Sequence, residues 1–348
     1  MNNQMLDLIN EDIFNALRSH KETLLSLKNT VVVITGGTGF MGTWLTHMLT
    51  YLNDHEGFNT QIFLLARGEN DFKHQRKDVH WIKSDIRQIG ELPHETSWLI
   101  HCAATPNNRF HASNPLETMS IIAQGTYALL RAAERCSHLK MVLNVSSGLI
   151  YGNQPLNMEY LPETFHGAPK CNTVSSAYAE GKRYAEMLCN AARSQSRMPV
   201  VTVRPFAFIG PYQPLDTPWA LNNFMYDALQ GNNIRVLGDG KTIRSYLYAS
   251  DMACWLLKVL THASSGEIYN IGSPEPVSLY ELASLISKEM PQKSTVQLGV
   301  ASAAHLPASR FVPDVTLMKQ RFNLEISMDI QASIKRTLLW HQLRMKNL

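Results

Sequence analysis

A run of β-branched residues followed by closely spaced glycines is the feature that most constrains what this chain can fold into. Residues 30–35 have the composition of a strand buried on both faces of a sheet. The segment Gly36-Gly-Thr-Gly-Phe-Met-Gly42 follows directly and leads into a helical stretch at 43–52. In such a unit, Gly36 permits a tight turn and Gly39 lets the backbone approach a pyrophosphate at the helix N-terminus. The sequence therefore predicts a dinucleotide-binding unit near its start.

The same strand–helix alternation continues through the first half of the chain. Runs with strand composition recur at residues 61–66, 79–83, 97–101, 140–145 and 200–204. Helical stretches fill most intervals, notably 115–136 and 175–194. This alternation predicts an α/β fold with a doubly wound, parallel sheet of the Rossmann type, and ligands at the carboxyl ends of its strands.

Three regions are predicted from changes in this pattern. Residues 1–28 are interpreted as an N-terminal helical extension and 29–204 as the dinucleotide-binding domain. Residues 205–348 form mainly a smaller substrate-binding lobe, to which an insert at about 152–174 belongs. A strand at about 266–271 is predicted to return to the main sheet, so the two lobes are interleaved. Helices are also predicted at 278–290 and 330–344.

Composition excludes several classes of protein. The 348 residues are 45% hydrophobic and 18% charged, which is typical of a globular protein, and the net charge of +3 is too small to indicate nucleic-acid binding. The five cysteines form no Cys-x-x-Cys pair, and the histidines show no metal-ligand spacing. No apolar run reaches the roughly 18 residues of a membrane helix, and the N-terminus lacks signal-peptide order. We therefore expect a cytoplasmic protein without a metal site and without membrane or nucleic-acid partners.

The segment Tyr178-Ala-Glu-Gly-Lys182 indicates acid/base chemistry. Residues four apart share one face of a helix, so the phenol and the ammonium group can reach one site. A cation stabilises a phenolate, and we therefore expect Lys182 to lower the pKa of Tyr178 toward the range of a general acid/base.

Four motifs in order carry a family resemblance. They are Thr35-Gly-Gly-Thr-Gly-Phe-Met-Gly42, His101-Cys-Ala-Ala104, Ser146-Ser-Gly-Leu-Ile-Tyr-Gly152 and Tyr178-Ala-Glu-Gly-Lys182. Together they resemble the extended short-chain dehydrogenase/reductases, in particular the NAD-dependent epimerase/dehydratase family that acts on nucleotide sugars. The resemblance runs from about residue 29 to the C-terminus. It implies an enzyme in which hydride transfer with a nicotinamide cofactor is coupled to proton transfer, and a homodimer formed through a pair of helices.

The resemblance assigns roles at the reacting carbon and along the cofactor. Tyr178 would be the acid/base, Lys182 would hold the nicotinamide ribose, and Ser147 would share a hydrogen bond with the sugar oxygen. The cofactor contacts would be Gly36, Thr38, Gly39, Phe40, Met41, Gly42, Arg67, Asp85, Ile86, Ala103, Ala104, Thr105, Val145, Tyr178, Lys182, Pro205 and Phe206.

Arg67 bears on the choice between NAD and NADP. An acidic residue at the end of the second strand binds the ribose hydroxyls of NAD, whereas an arginine accommodates a 2′-phosphate. Arg67 follows the strand at 61–66 and favours NADP(H) over NAD, the alternative being that it stacks on adenine or faces solvent. Asp85 ends the third strand and is predicted to accept from the adenine amino group, or else to act only as a cap.

Substrate contacts are predicted in the second half of the chain. Arg244 matches an arginine that contacts the nucleotide diphosphate, and a guanidinium group suits a phosphate. Asn222 and Asn223 resemble an asparagine pair near the substrate phosphates, although asparagine is also a common helix cap. Arg310 is a second phosphate or ribose contact or a surface residue, and Ser147 completes the predicted set.

Departures from the family pattern reduce the number of reactions that this chain is expected to catalyse. Sugar 4,6-dehydratases carry an acidic pair directly after the catalytic hydroxyl, and decarboxylating members carry a glutamate at the second of these positions. Gly148 and Leu149 stand there in this chain and can transfer no proton. The sequence therefore favours 4-epimerisation of a nucleotide sugar through a transient ketone. The alternative that Arg67 supports is NADPH-dependent reduction of a nucleotide 4-keto-sugar. A 4,6-dehydration is less favoured. The alternative from another class of protein is a non-catalytic dinucleotide sensor.

Overall fold

The computed structural model describes residues 3–68, 76–105, 107–290, 294–299 and 308–346. The helices are α1 (Asn3–Leu17), α2 (Phe40–Glu56), α3 (Asn108–Ser113), α4 (Pro115–Ala133), α5 (Ala177–Ser196), α6 (Ala220–Leu229), α7 (Ala249–His262), α8 (Leu279–Glu289), α9 (Thr316–Phe322) and α10 (Ile330–Lys346). The strands are β1 (Val31–Thr35), β2 (Gln61–Ala66), β3 (Val79–Lys83), β4 (Thr96–His101), β5 (Met141–Val145), β6 (Val200–Pro205), β7 (Ala207–Ile209), β8 (Ile234–Val236), β9 (Ile243–Arg244), β10 (Tyr246–Tyr248), β11 (Ile268–Ile271), β12 (Val277–Ser278) and β13 (Val296–Leu298).

Seven parallel strands form the main sheet in the order β11-β6-β5-β4-β1-β2-β3. The chain winds outward from β1 in both directions, which confirms the predicted doubly wound Rossmann-type sheet. The break in direction lies between β1 and β4, where such sheets open a crevice at their carboxyl edge. Strand β11 pairs with β6, so the predicted return of the chain near residue 268 is also confirmed.

Each face of the sheet is covered by helices, because the strands are apolar on both sides. On β1, Val32 and Ile34 belong to a core that also contains Trp44 of α2 and Trp255 of α7. Val33 points the other way, into a core with residues of α4 and α5. These side chains are fully buried, and burial of each stabilises the fold by about 1.5–3 kcal/mol relative to exposure.

The N-terminal segment is helical, as predicted, and packs on the body of the protein. Its described part contains α1 and a 3₁₀ helix, Lys21–Leu27, whereas residues 1 and 2 lie outside the described residues. Ile9 and Ile13 are fully buried in the same core as Trp255. A buried carboxylate, Asp12, accepts a hydrogen bond from the Tyr248 hydroxyl at 2.7 Å and pairs with Arg336 of α10 at 2.7 Å.

The second half of the chain adds three two-stranded sheets, β7–β10, β8–β13 and β9–β12. Strand β7 begins two residues after β6 ends, so the β7–β10 pair directly follows the main sheet in the chain. The five cysteines are unpaired. No helix within the described ranges is both long and apolar enough to cross a bilayer.

Candidate active site

A cavity of about 2470 Å³ lies at the carboxyl edge of the main sheet, between the glycine turn and the segments of the second half of the chain. Every residue predicted for the site lines this cavity except Asn223. The predicted cofactor residues lie at or follow the ends of β1 to β6, as a doubly wound sheet requires, or lie at the start of α5. The predicted substrate residues come from α6, β9 and the segment that follows residue 307.

The glycine turn brings the N-terminus of α2 to the cavity. Gly36 has φ +69°, and a Cβ there would lie 3.0 Å from the backbone of Ala103. A Cβ on Gly42 would lie 2.5 Å from the carbonyl oxygen of Gly36, so the turn can close only around a glycine. Gly39 caps α2 without a side-chain hydrogen bond, which leaves the first amides of the helix available to an anion. These residues fit a dinucleotide diphosphate.

The adenosine end of the predicted cofactor site is lined by Arg67 and Asp85. Arg67 follows β2 and is exposed, and no carboxylate ends that strand. Asp85 caps a 3₁₀ turn and forms a two-point ion pair with Arg87, with distances of 2.7 and 2.9 Å. The hydrogen bonds from Arg87 hold the pKa of Asp85 at about 2. Asp85 is therefore an ionised cap, and its contact with adenine stays a prediction.

Tyr178 and Lys182 both face the cavity from the first turns of α5. The Nζ atom of Lys182 lies 5.9 Å from the centre of the Tyr178 ring and donates to the carbonyl oxygen of Val145 at 2.7 Å. Burial lowers the pKa of Lys182 to about 8. Burial also raises the pKa of Tyr178 to about 12, and a hydrogen bond with Ser147 acts in the opposite direction. The prediction that the Tyr178 pKa is lowered is therefore wrong for the protein alone, because the effect of burial exceeds that of the hydrogen bond with Ser147.

Ser147 lies at the end of β5 and begins a 3₁₀ turn. Its Oγ accepts a hydrogen bond from the amide of Leu149 at 3.1 Å. A Cβ on Gly148 would lie 2.9 Å from the Phe206 ring, so this position tolerates no larger side chain without a shift of that ring. Leu149 lines the cavity with 41% of its surface exposed. The two positions after the serine hydroxyl therefore offer no proton-transferring group.

Two arginines share the wall of the cavity that belongs to the second half of the chain. Arg244 donates to the carbonyl oxygens of Ile243 at 2.7 Å and Ser309 at 3.3 Å, and burial lowers its pKa. It has no carboxylate partner among the described residues. Arg310 is bridged to Ile243 and donates from Nε to the carbonyl oxygen of Glu159 at 2.7 Å.

The charge of this wall is poorly compensated. The Nη2 atom of Arg310 is buried and has no hydrogen bond among the described residues, and the Glu159 carboxylate lies 3.9 Å from it. A buried guanidinium nitrogen without a hydrogen bond is costly unless an anion binds it. Arg244 and Arg310 line the same cavity and are therefore a candidate site for an anion, which stays a prediction.

The predicted asparagine pair does not act as a pair. Asn222 is buried, donates to the carbonyl oxygen of Pro214 at 2.7 Å, and leaves its Oδ1 atom without a partner. Asn223 is exposed and does not line the cavity. Consecutive residues of a helix lie about 100° apart, so only one of the two can face the site. Asn223 is therefore removed from the candidate set.

His111 is a cavity residue that sequence reasoning missed. It lies on α3, is 4% exposed, and stacks on Tyr178 with ring centres 4.5 Å apart and planes inclined by 12°. Its Nε2 atom lies 2.5 Å from the carbonyl oxygen of Thr105. No sequence motif indicates this contact, because His111 and Tyr178 lie almost 70 residues apart in the chain. In the part of the chain that the structure describes, no group of three or more potential ligands is arranged to hold a metal ion.

Residues 32–272 match the model of the NAD dependent epimerase/dehydratase family. The chain is 29% identical over 295 residues to UDP-glucuronic acid decarboxylase 5 of Arabidopsis thaliana. This match covers 84% of the chain and 83% of the plant protein.

Two solved structures share the fold at low sequence identity. UDP-glucose 4-epimerase of Thermotoga maritima, solved with UDP-glucose, superposes with a TM-score of 0.77 at 17% identity and covers 91% of this chain and 100% of its own. A variant of the UDP-glucuronic acid 4-epimerase of Bacillus cereus was solved with UDP-4-deoxy-4-fluoro-glucuronic acid and NAD. It superposes with a TM-score of 0.77 at 18% identity and covers 90% of this chain and 100% of its own.

Proposed function

This chain belongs to the NAD dependent epimerase/dehydratase family of nucleotide-sugar-modifying enzymes, and from that premise we propose that it catalyses 4-epimerisation of a nucleotide sugar through a transient 4-keto sugar. One observation carries the proposal. Tyr178, Lys182 and Ser147 meet in a cavity that has an open helix N-terminus on one side and two arginines on the other. A nicotinamide dinucleotide and a sugar diphosphate each find an anion site there.

Binding and orientation are assigned to the two anion sites. The amides at the start of α2 would hold the dinucleotide diphosphate, and Arg244 and Arg310 would hold the diphosphate of the substrate. The rings of Phe206 and Phe311 line the cavity with their centres 4.7 Å apart, and Phe206 lies against Gly148. The sugar would therefore lie against an apolar wall, with its reactive carbon near Ser147 and Tyr178.

The proton step is assigned to Tyr178. Its phenolate would take the proton from the sugar O4 as that carbon is oxidised, and the resulting phenol would return the proton when the ketone is reduced on the opposite face. Ser147 would hold the same sugar oxygen, and Lys182 would position the cofactor ribose. When bound, NAD(P) supplies the hydride acceptor and donor. Cofactor and substrate bound in the cavity would displace water from these groups, which would strengthen each hydrogen bond.

The neighbours of Ser147 argue against dehydration and decarboxylation. Both reactions need a carboxylate beside the serine, and this chain has Gly148 and Leu149 there. We therefore propose that the chain does not share the activity of the decarboxylase that it matches, although the two proteins share ancestry. Epimerisation needs no further acid or base, because one phenol serves both half-reactions.

Reduction of a nucleotide 4-keto sugar with NADPH is the second candidate. Arg67 favours it, because this exposed cation follows β2 where an NAD-specific site would carry an acid. Native mass spectrometry of the purified protein distinguishes the two functions. Tightly held NAD supports epimerisation, since the cofactor is regenerated in every turnover, and binding of NADPH only on addition supports reduction.

Turnover tests the mechanism. The protein is assayed with UDP-glucose, UDP-galactose, UDP-N-acetylglucosamine, UDP-glucuronic acid and the corresponding dTDP and GDP sugars. Tyr178→Phe should lower kcat at least about 100-fold and leave the affinity for cofactor nearly unchanged. Full activity of Tyr178→Phe would contradict the assigned mechanism. Cofactor binding without turnover of any sugar would support the non-catalytic sensor instead.

A further inference from the structure

We propose that His111 is a positioning residue that fixes the ring plane of Tyr178 and ties it to the cofactor wall of the cavity. This inference rests on the proposed function, since it assigns His111 a part in the same proton transfer. His111 is not one of the residues that the family resemblance assigns to the reaction. Its role follows from the contacts that its two ends make.

The imidazole ring packs face to face on the phenol. The ring centres are 4.5 Å apart and the planes are inclined by 12°, so His111 covers one face of the Tyr178 ring. Tyr178 needs such support, because it is the second residue of α5. The segment 171–175 that leads into this helix is exposed throughout. Rotation of the phenol about its Cα–Cβ bond would move the hydroxyl away from Ser147, and the stacked imidazole opposes that rotation.

The other end of the imidazole is fixed to the loop after β4. Its Nε2 atom lies 2.5 Å from the carbonyl oxygen of Thr105. A carbonyl oxygen only accepts, so Nε2 carries the proton and the tautomer is set. Ala103, Ala104 and Thr105 line the cavity in this loop and are predicted cofactor contacts. One side chain therefore holds the acid/base and the cofactor wall at a fixed separation.

Burial restricts the movement of the His111 imidazole and favours its uncharged form. His111 is 4% exposed, and burial lowers its pKa. The phenol of Tyr178 lies against the imidazole, and the nearby Lys182 donates to the carbonyl oxygen of Val145. A neutral imidazole adds no charge beside the phenol, so His111 acts through geometry.

Three substitutions separate the two contacts. His111→Ala removes both and should lower kcat on the order of 10- to 100-fold, because displacement of a reacting group by about 1 Å has such effects. His111→Phe keeps a ring on Tyr178 and should retain kcat within a few-fold, while the KM for cofactor rises. His111→Gln keeps a donor for Thr105 and should show the converse, with a low kcat and a nearly normal KM for cofactor.

A matched control is available at His80. This residue stacks on Phe63 with ring centres 4.5 Å apart, and it does not line the cavity. His80→Ala therefore removes an equivalent contact and should leave kcat and both KM values unchanged. Thermal unfolding of all variants checks that each is folded.

The decisive measurement is the double variant with Tyr178→Phe, assayed with whichever sugar of the panel is turned over. If His111 acts through the phenol hydroxyl, His111→Ala causes no further loss in the Tyr178→Phe background. Losses that multiply, or a His111→Phe variant as slow as His111→Ala, would overturn the inference and leave the proposed function intact. Full activity of Tyr178→Phe would overturn both. Independently of turnover, a crystal structure of His111→Ala with NAD⁺ should show the Tyr178 ring turned, and an unmoved ring contradicts the inference.

Discussion

At the scale of single residues, Ser147 supplies the hydrogen bond that opposes the effect of burial on Tyr178. Burial raises the pKa of the phenol to about 12, and the bond from the serine lowers it. In Ser147→Ala the pKa should rise further, so the limb of the kcat–pH profile that requires the phenolate moves to higher pH. Each unit of rise lowers the phenolate fraction, and kcat with it, about tenfold at neutral pH.

The control for this prediction is the neighbouring hydroxyl. The Oγ atom of Ser146 is buried and has no hydrogen-bond partner within the described ranges, so Ser146→Ala should leave the position of the limb unchanged. Profiles of kcat from pH 6 to 10 are compared for the wild type and both variants. A limb that stays in place in Ser147→Ala would contradict the assignment of Ser147.

Arg67 gives a second prediction at this scale, on cofactor choice. The side chain is exposed at the end of β2, so it is free to pair with a 2′-phosphate. Arg67→Asp should weaken binding of NADP⁺ by about 10- to 100-fold, the worth of one charge-assisted hydrogen bond, and should strengthen binding of NAD⁺. Titration calorimetry with both cofactors measures the ratio.

A control separates specific contact from general charge. Lys83 ends the neighbouring strand β3, is exposed, and does not line the cavity. Lys83→Asp changes the net charge equally and should leave the ratio of the two dissociation constants unchanged. An unchanged ratio in Arg67→Asp would show that the arginine does not read the 2′-phosphate.

At the scale of elements, the sequence predicted the strands of the main sheet within two residues, because each is a short apolar run with clear ends. Helix α2 was predicted too short. It begins at Phe40 and ends at Glu56, where Gly57 adopts a left-handed conformation with φ +62°. Contacts between elements were less predictable. The exposure of Asn223, the stacking of His111 and the raised pKa of Tyr178 all depend on how distant helices pack.

The docking of α1 gives a prediction that links pH to stability. Burial raises the pKa of Asp12 to about 6, above its ordinary value of 3.8. The folded protein therefore binds the proton more tightly than the unfolded chain, and the stability contributed by this group is lost as pH rises from about 4 through 6. Asp12→Asn removes this dependence. The destabilisation that it causes should shrink by about 2 kcal/mol between pH 4 and pH 7.

Urea unfolding at the two pH values measures this difference. Asp12→Asn should still destabilise the fold, since it weakens the contacts with Arg336 and Tyr248. Glu11→Gln is the control, because it removes an exposed carboxylate from the same arginine and should cost less than about 1 kcal/mol. Equal destabilisation by Asp12→Asn at both pH values would show that the carboxylate is not held in the protonated form.

At the scale of the whole molecule, the cavity belongs to both halves of the chain. The glycine turn and α5 supply the predicted cofactor and acid/base residues, and β9 and the segment after residue 307 supply the arginines. Sequence motifs indicated each group separately. The distance between the acid/base residues and the arginines could not be predicted from these motifs. It depends on the pairing of β11 with β6 and on the contact between Glu159 of the insert and Arg310, 3.9 Å apart.

Helices α4 and α5 pack together and present an apolar outer face. Its large exposed side chains are Leu116, Met119, Tyr127, Tyr184 and Met187. Those of α4 follow one another at helical spacing, and Tyr184 and Met187 lie one turn apart on α5. Apolar clusters of this kind mark interaction surfaces. The homodimer that the sequence led us to expect would use this face, because a two-fold axis places the same patch of each copy against the other.

Light scattering after size exclusion tests the dimer over a range of protein concentrations. The wild type should have twice the mass of the chain. The double variant Tyr184→Glu with Met187→Glu should have the mass of one chain, because each copy would bury two carboxylates in a symmetric contact. The matched control is Leu237→Glu with Leu298→Glu, two exposed apolar residues of the smaller lobe, which should remain dimeric. Since Tyr178 and Lys182 lie on the inner face of α5, the monomeric variant should also lose part of its kcat. A wild type that has the mass of one chain at every concentration, or a charged variant that stays dimeric, would exclude this face as the contact.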